Sequence, residues 1–428
     1  MKKVLFIYPK LGNNIGKTQS HWFPFGIMGI SSYLKKNNID VKIIDNTFLN
    51  LNFSSLKQII DDYNPNIIGL GALTVQRNDA IQLSEIIRKI NKDILIVFGG
   101  VHFSYFPEDA LKYCDICVIG EAENTFLEIC QDKNLNDIDG IGYHNDNKTI
   151  FTKSRELKKN LDRFPLPAYD LIDVYKYDDT VTYKGTGIKN NSISMMTSRG
   201  CDGNCIFCAS PFMWKRKIRF NSLDYVFNHI KYLVDSYNIK NIRFMDDSFV
   251  INKKRVYEFC DLIEKNKFKL NLQFLSSVKH VDYDLFCRMK SVGFYHVSLG
   301  IESGNQDILN LINKKTQIED IKKSIDIIKK VGLNVECLYM VGNIGETEKT
   351  MNDTISFAHK LKTIVHVQIA IPYPGTKFYE IYKQYGHITT ENFNNFTTDD
   401  PVFIPNTLNK EMLINARSRG NTRSAGIL

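Results

Sequence analysis

No stretch of this chain reaches the roughly 18 unbroken apolar residues that a membrane-spanning helix requires, and the run Val4-Leu5-Phe6-Ile7-Tyr8 is cut by Pro9-Lys10 too early for a secretory leader. With no sign of export, nine cysteines argue for reduced thiols and a cytoplasmic location, not a disulfide framework. An interleaved aromatic–basic motif for nucleic acid is also lacking. The formal charge of +8 comes from Lys and Arg scattered along the whole length. The densest basic run, Lys215-Arg216-Lys217-Ile218-Arg219, reads either as a solvated approach to a helix or as a contact for an anionic substrate. Finally, no fourth cysteine follows Cys201, Cys205 and Cys208 at ligand spacing.

What is present fits 428 residues of ordinary globular composition, 43% hydrophobic and 24% charged, enough for two or three domains with ample core. The run Ser198-Arg199-Gly200-Cys201-Asp202-Gly203-Asn204-Cys205-Ile206-Phe207-Cys208 places three thiols on one tight loop with the spacing C-x3-C-x2-C. Three readings are open: buried structural cysteines; a zinc site completed by a histidine, with His229 and His280 the nearest downstream; or a [4Fe-4S] cluster in which one iron keeps an open position. Electron-carrying clusters use four cysteines; an open position marks a catalytic metal, as it does for zinc. The strand Ile193–Thr197 precedes the loop, which therefore leaves a strand's C-terminal end, where parallel barrels do chemistry. A second pair, Cys114 and Cys117, of which Cys117 begins the apolar run Cys117-Val118-Ile119, has no partner pair nearby. It reads as two buried structural thiols, with a redox role as the alternative.

Residues 1–130 alternate short strands (4–8, 41–45, 67–70, 94–98, 116–119) with helices such as Ile27–Lys36 and Asp79–Ile90. That pattern predicts an α/β fold with a doubly wound, flavodoxin- or Rossmann-like parallel sheet and a ligand site beyond the strands' C-terminal ends. Gly69-Leu70-Gly71 lacks the third glycine of a dinucleotide fingerprint. Residues 131–190 form a bridge: a hairpin from 138–143 and 149–151, then the proline-containing linker Leu161–Ala168. Strand–helix alternation resumes over 191–388, with strands expected at 193–197, 241–245, 271–275, 294–299, 334–340 and 364–370, a partial (β/α)6 barrel open on one side. Residues 389–428 are a short C-terminal extension, and Arg417–Ser424 read as a polar, frayed tail.

The cysteine loop, with an aromatic before its last cysteine, resembles the signature of the radical S-adenosylmethionine (SAM) enzymes. The loops Pro24-Phe25-Gly26-Ile27, Gly99-Gly100-Val101-His102 and Gly120-Glu121-Ala122-Glu123 resemble, in order, the landmarks of the cobalamin (B12)-binding domain fused to many of them. The resemblance covers about nine-tenths of the chain and fades after residue 388, where that family often continues with an aromatic-rich helical tail. It implies Cys201, Cys205 and Cys208 as cluster ligands. It implies SAM contacts at Phe207, at Asp246 or Asp247, and at Lys279, Glu302 and Gly342. Cobalamin contacts are implied at Gly12, Thr74, Val75, Gly99, Gly100, Val101, His102, Gly120, Glu121 and Glu123. Two departures stand out. The loop Pro9–Gly16 has no histidine, so no cobalt ligand is expected there; His102 either packs at its loop or substitutes as that ligand. Lys279 stands where relatives often have arginine, and lysine forms no bidentate fork.

The resemblance implies a cobalamin-dependent methyltransferase that uses a 5'-deoxyadenosyl radical and methylcobalamin to methylate an unactivated carbon of a small molecule, a natural-product or lipid intermediate. An external flavodoxin- or ferredoxin-type protein would supply the electron. The alternatives are radical cyclisation, ring contraction or rearrangement without methyl transfer, and a non-catalytic cofactor-binding or electron-transfer module.

Overall fold

The computed structural model describes residues 2–12, 22–146, 148–180 and 191–422. Two compact units divide the chain. The first comprises Met1–Val174 with Asn392–Thr397, the second Tyr175–Glu391 with Thr398–Leu428.

The first unit is built on seven strands: β1 Lys3–Tyr8, β2 Asp40–Asp45, β3 Ile67–Gly71, β4 Leu95–Gly99, β5 Ile116–Val118, β6 Ile141–Asn145 and β7 Lys148–Phe151, in the order β2-β1-β3-β4-β5-β6-β7. The first five pair in parallel, and β6 and β7 add antiparallel at the edge, so the hairpin expected in the bridge extends this sheet. Alternation along the strands serves both faces. Leu5, Ile7, Ile68, Leu70, Ile96 and Phe98 form a buried core with Leu56 and Ile60 of helix Phe53–Tyr63 and with Ala80, Ile81, Leu83 and Ile87 of helix Arg77–Ile90. On the other face Phe6 meets Phe126 of helix Glu123–Cys130 with ring centroids 4.8 Å apart. Cys114 and Cys117 are both buried, and burial pushes the Cys117 thiol up to about 12.

The second unit has β8 Ser192–Met195, β9 Ser198–Arg199, β10 Arg219–Phe220, β11 Asn241–Phe244, β12 Asn271–Ser277, β13 Phe294–Glu302, β14 Asn334–Val341 and β15 Ile364–Ile369, then a small hairpin, β16 Gly386–Ile388 and β17 Phe403–Pro405. Six of these form one parallel sheet in the order β15-β14-β13-β12-β11-β8, a partial barrel whose outer strands β8 and β15 do not pair with each other. Helices connect successive strands of this sheet, as parallel crossovers require.

Of the tail expected to fray, Arg417–Thr422 departs from that expectation, while Arg423 and Ser424 lie outside the described residues. Lys410–Thr422 is a helix whose Leu413, Ala416 and Gly420 are buried. At Gly420 a side chain would come within 2.4 Å of Val367 Cγ2, so helix and strand approach closely. Asn421 accepts the Val367 N–H at 2.9 Å and donates to its carbonyl at 3.0 Å, standing in for a neighbouring strand at the edge of β15. A polar residue at a chain end thus satisfies backbone groups that would otherwise lie unpaired.

Candidate active site

In the second unit the cysteine loop leaves the sheet after β8. The pairing of β9 with β10, Arg219 opposite Arg199, clips its two ends together. Gly200 makes the entry: φ is +101°, and a Cβ would sit 2.2 Å from the Lys217 carbonyl oxygen, so only glycine fits without strain. Inside the loop the Gly203 N–H points at Cys201 Sγ (3.3 Å) and the Ser210 N–H at Cys208 Sγ (3.4 Å). All three thiols are free and partly exposed. Without cofactors, burial raises their pKa values, and that of Cys208 is pushed up to about 12. Among the described residues no three His, Cys, Asp or Glu side chains converge as on a single ion. Three thiols on one clipped loop, two of them receiving backbone N–H groups, fit ligands that each bind a separate iron.

Four carboxylates surround the loop, and the structure gives them different tasks. Asp246 is 1% exposed; it accepts the backbone N–H of Thr197 (3.1 Å), the Thr197 hydroxyl (2.9 Å) and the Ser198 hydroxyl. It is therefore committed to joining the end of β11 to the turn between β8 and β9. Asp247 is exposed, accepts from Ser210 Oγ at 2.7 Å, and acts electrostatically on Cys201 and Cys208. Asp202, within the loop, pairs with Lys279 Nζ at 2.6 Å and lies 3.3 Å from His280 Nε2. Partial burial opposes its ionisation, but Lys279 and His280 outweigh that and lower its pKa. Glu302 ends β13 with φ +73° and pairs with Lys314 Nζ at 2.9 Å.

Phe207 is half-buried between Cys205 and Cys208. Gly342 begins the loop after β14, where its N–H donates to Glu346 and Leu413 covers it. Thr347 caps the next helix, Glu348–Lys360, as its position suggests, whereas Glu346 turns back onto its own loop and is fully buried. Sequence reasoning passed over Lys314 and the role of His280, whose Nδ1 lies 3.0 Å from Ser248 Oγ and 3.1 Å from Ser277 Oγ. A lysine in Ile312-Asn313-Lys314-Lys315 reads as surface charge, and no spacing rule flags it.

In the first unit the loops after β1, β3, β4 and β5 gather at the sheet's C-terminal edge, and strand order reverses between β1 and β3. Gln76 Nε2 donates to the Pro9 carbonyl at 2.7 Å, and the Lys10 N–H donates to Asp79 at 2.7 Å, tying the two loops of that crevice. Gly100 takes φ +90° where a Cβ would strike the Ala72 backbone at 2.7 Å, and Val101–Tyr105 follows as a short helix. Thr74, Val75 and Glu123 are buried; Glu121, Val101 and Gly99 are partly exposed; a Cβ on Gly120 would meet nothing within 4 Å. Gly12 instead faces the backbone of Asn394.

His102 is fully buried, its Nδ1 3.4 Å from Thr74 Oγ1 and its ring edge-on to Phe103, Phe106 and Phe393. Burial, assisted by Arg77, lowers its pKa to about 4, so the imidazole is neutral. Its Nε2 has no hydrogen-bond partner among the described residues. Open space at Gly120 and an orphaned buried nitrogen fit an edge that receives a large cofactor.

Residues 195–358 match the Radical SAM superfamily and residues 14–130 match the B12 binding domain. An uncharacterised methyltransferase of Pyrococcus horikoshii is 33% identical over 387 residues, 89% of this chain and 82% of that protein. The anaerobic magnesium-protoporphyrin IX monomethyl ester cyclase of Rubrivivax gelatinosus is 26% identical over 430 residues, 96% of this chain and 75% of that protein. The solved structure of the cobalamin-dependent SAM radical enzyme OxsB with aqua-cobalamin superposes with a TM-score of 0.78 over 98% of this chain and 66% of that chain; at 17% identity this bears on the fold alone. The chain belongs to the radical SAM superfamily, in the group of enzymes that carries a B12-binding domain. Its cofactors are a [4Fe-4S] cluster, SAM and cobalamin. No helix among the described residues is long and apolar enough to cross a membrane.

Proposed function

We propose that this enzyme is a methyltransferase that adds a methyl group to an unactivated carbon of a small molecule, a natural-product or lipid intermediate. The observation that carries the reading is the clipped three-cysteine loop with Asp247, Lys279 and Glu302 around it, in a chain that also bears a B12-binding domain. When bound, the cluster with SAM supplies radical initiation and cobalamin carries the methyl group. The chain's own residues bind and orient. Cys201, Cys205 and Cys208 hold iron. Asp247 offers its carboxylate to the SAM ammonium, a charge-assisted contact. Glu302 faces the polar end of SAM, Lys279 fixes the loop through Asp202, and Phe207 and Gly342 border the nucleoside. Gly99, Gly100, Val101, Gly120, Glu121 and Glu123, with Thr74 and Val75, line the cobalamin edge, and His102 meets that cofactor with its free Nε2. A flavodoxin- or ferredoxin-type protein delivers the electron.

The Pyrococcus relative, described as a methyltransferase, supports methyl transfer. The Rubrivivax cyclase supports a second reading, radical ring formation without methyl transfer. Anaerobic reconstitution with iron, sulfide and cobalamin, followed by product mass analysis, separates them. A gain of one methylene supports methylation; a product without added carbon overturns it in favour of the second reading.

A further inference from the structure

Lys314 occupies a setting that its sequence context does not announce. Its side chain is 10% exposed, and its ammonium lies 2.9 Å from Glu302 Oε1, itself on a side chain 12% exposed. Room for the pair comes from Gly300, where a Cβ would stand 2.6 Å from Glu302 Oε1 and 3.1 Å from Lys314 Nζ. The ladder between β13 and β14 shifts register between Gly300 and Glu302, and a bulge of this kind re-aims a side chain. Glu302 accordingly takes φ +73°, a backbone strain that functional sites tend to hold.

The turn bearing Lys314 is fastened to the cysteine loop. Asn313 Nδ2 donates to the Asn204 carbonyl at 2.7 Å, and the Ile206 N–H donates to the Ile312 carbonyl at 3.1 Å. Residues 313 and 315 both adopt left-handed φ, at +55° and +49°, which turns the chain sharply on either side of Lys314. The two hydrogen bonds to the loop place the ion pair beside the stretch Asn204–Ile206, which contains Cys205.

Reduction of a cluster on these cysteines adds one electron, taken from a one-electron protein donor, and no proton. The site therefore gains a full negative charge. In a poorly screened setting, a fixed cation nearby favours the reduced state and a bare carboxylate disfavours it.

We propose that Lys314 is the positioning cation of the cluster site: it holds the Glu302 carboxylate at the end of β13 and offsets its charge, keeping the cluster reducible. This rests on the proposed radical SAM chemistry. Lys314 touches no reacting atom in this account; it acts through Glu302 and through its field at Cys205.

The test is an EPR-monitored redox titration of the full-length, anaerobically reconstituted protein without SAM. Lys314→Met should make reduction about tenfold less favourable, a fall of ~59 mV for one electron. Glu302→Gln should shift the midpoint the opposite way, and Lys314→Arg should stay near wild type. Two shifts of opposite sign are what a charge effect produces; a merely structural role would loosen both variants alike. Equal potentials in wild type and Lys314→Met, or a fall in Lys314→Arg as large as in Lys314→Met, would overturn the proposal. If Lys314→Met does not load iron, Glu302→Gln decides: a raised potential supports the proposal and an unchanged one overturns it. A wild-type protein that takes up no cluster would instead overturn the proposed function.

Discussion

Asp246 accepts the Thr197 backbone N–H at 3.1 Å and the Thr197 hydroxyl at 2.9 Å, so the first of two adjacent carboxylates is a bolt in the fold. Its neighbour Asp247 is exposed and meets Ser210 beside the cysteines. Replacing each by asparagine should separate the two tasks. Asp246→Asn should cost about 1–3 kcal/mol of stability, the range for leaving a buried hydrogen-bonding group without its partner. Asp247→Asn should stay within ~0.5 kcal/mol of wild type while weakening SAM binding about tenfold. Chemical denaturation and equilibrium dialysis of SAM check the pair, and an exchange of the two phenotypes would contradict the assignment.

Glu346 makes stability depend on pH. Burial raises its pKa to about 7, against the pull of the Asn343 and Gly342 N–H groups. Its folded value lies above the ordinary 4.5. The folded chain therefore keeps a proton that the unfolded chain releases between those two pH values. This contribution is fully present below about pH 4.5 and is lost as pH rises through about 7, beyond which it is flat. The full amplitude is ~3 kcal/mol at most. Glu346→Gln should flatten this part of the profile, measured as urea midpoints at about pH 5 and about pH 8. An unchanged difference between wild type and variant across the window would contradict it.

His102 gives a prediction confined to one cofactor. With a neutral, buried imidazole whose Nε2 is orphaned among the described residues, His102→Phe keeps the aromatic packing with Phe103, Phe106 and Phe393 but removes the polar contact. Cobalamin retained after gel filtration should drop, with affinity about tenfold weaker, as for loss of one hydrogen bond. Iron content should stay the same. Full cobalamin retention would remove His102 from that site.

Much of the architecture was legible because strands buried on both faces announce themselves as short apolar runs. All six expected barrel strands occur in order, with ends displaced by a few residues, as at β13, which runs on to Glu302. The cysteine loop was legible because its spacing is local. The division of labour between Asp246 and Asp247 was not, since it depends on Thr197, 49 residues away in sequence. Lys314 was hidden for the same reason, its meaning coming from Gly300, Glu302 and Asn204. The final helix was missed because its buried face, among the described residues, is Leu413, Ala416 and Gly420, too small a stripe to stand out from the polar residues around it.

The most direct test of the account is reductive cleavage of SAM by the anaerobically reconstituted full-length enzyme, compared with the variant in which Cys201, Cys205 and Cys208 are all alanine. Wild type should bind iron and form 5'-deoxyadenosine under reductant, while the triple variant should bind no cluster and form none. A triple variant that still produces 5'-deoxyadenosine would contradict the central claim.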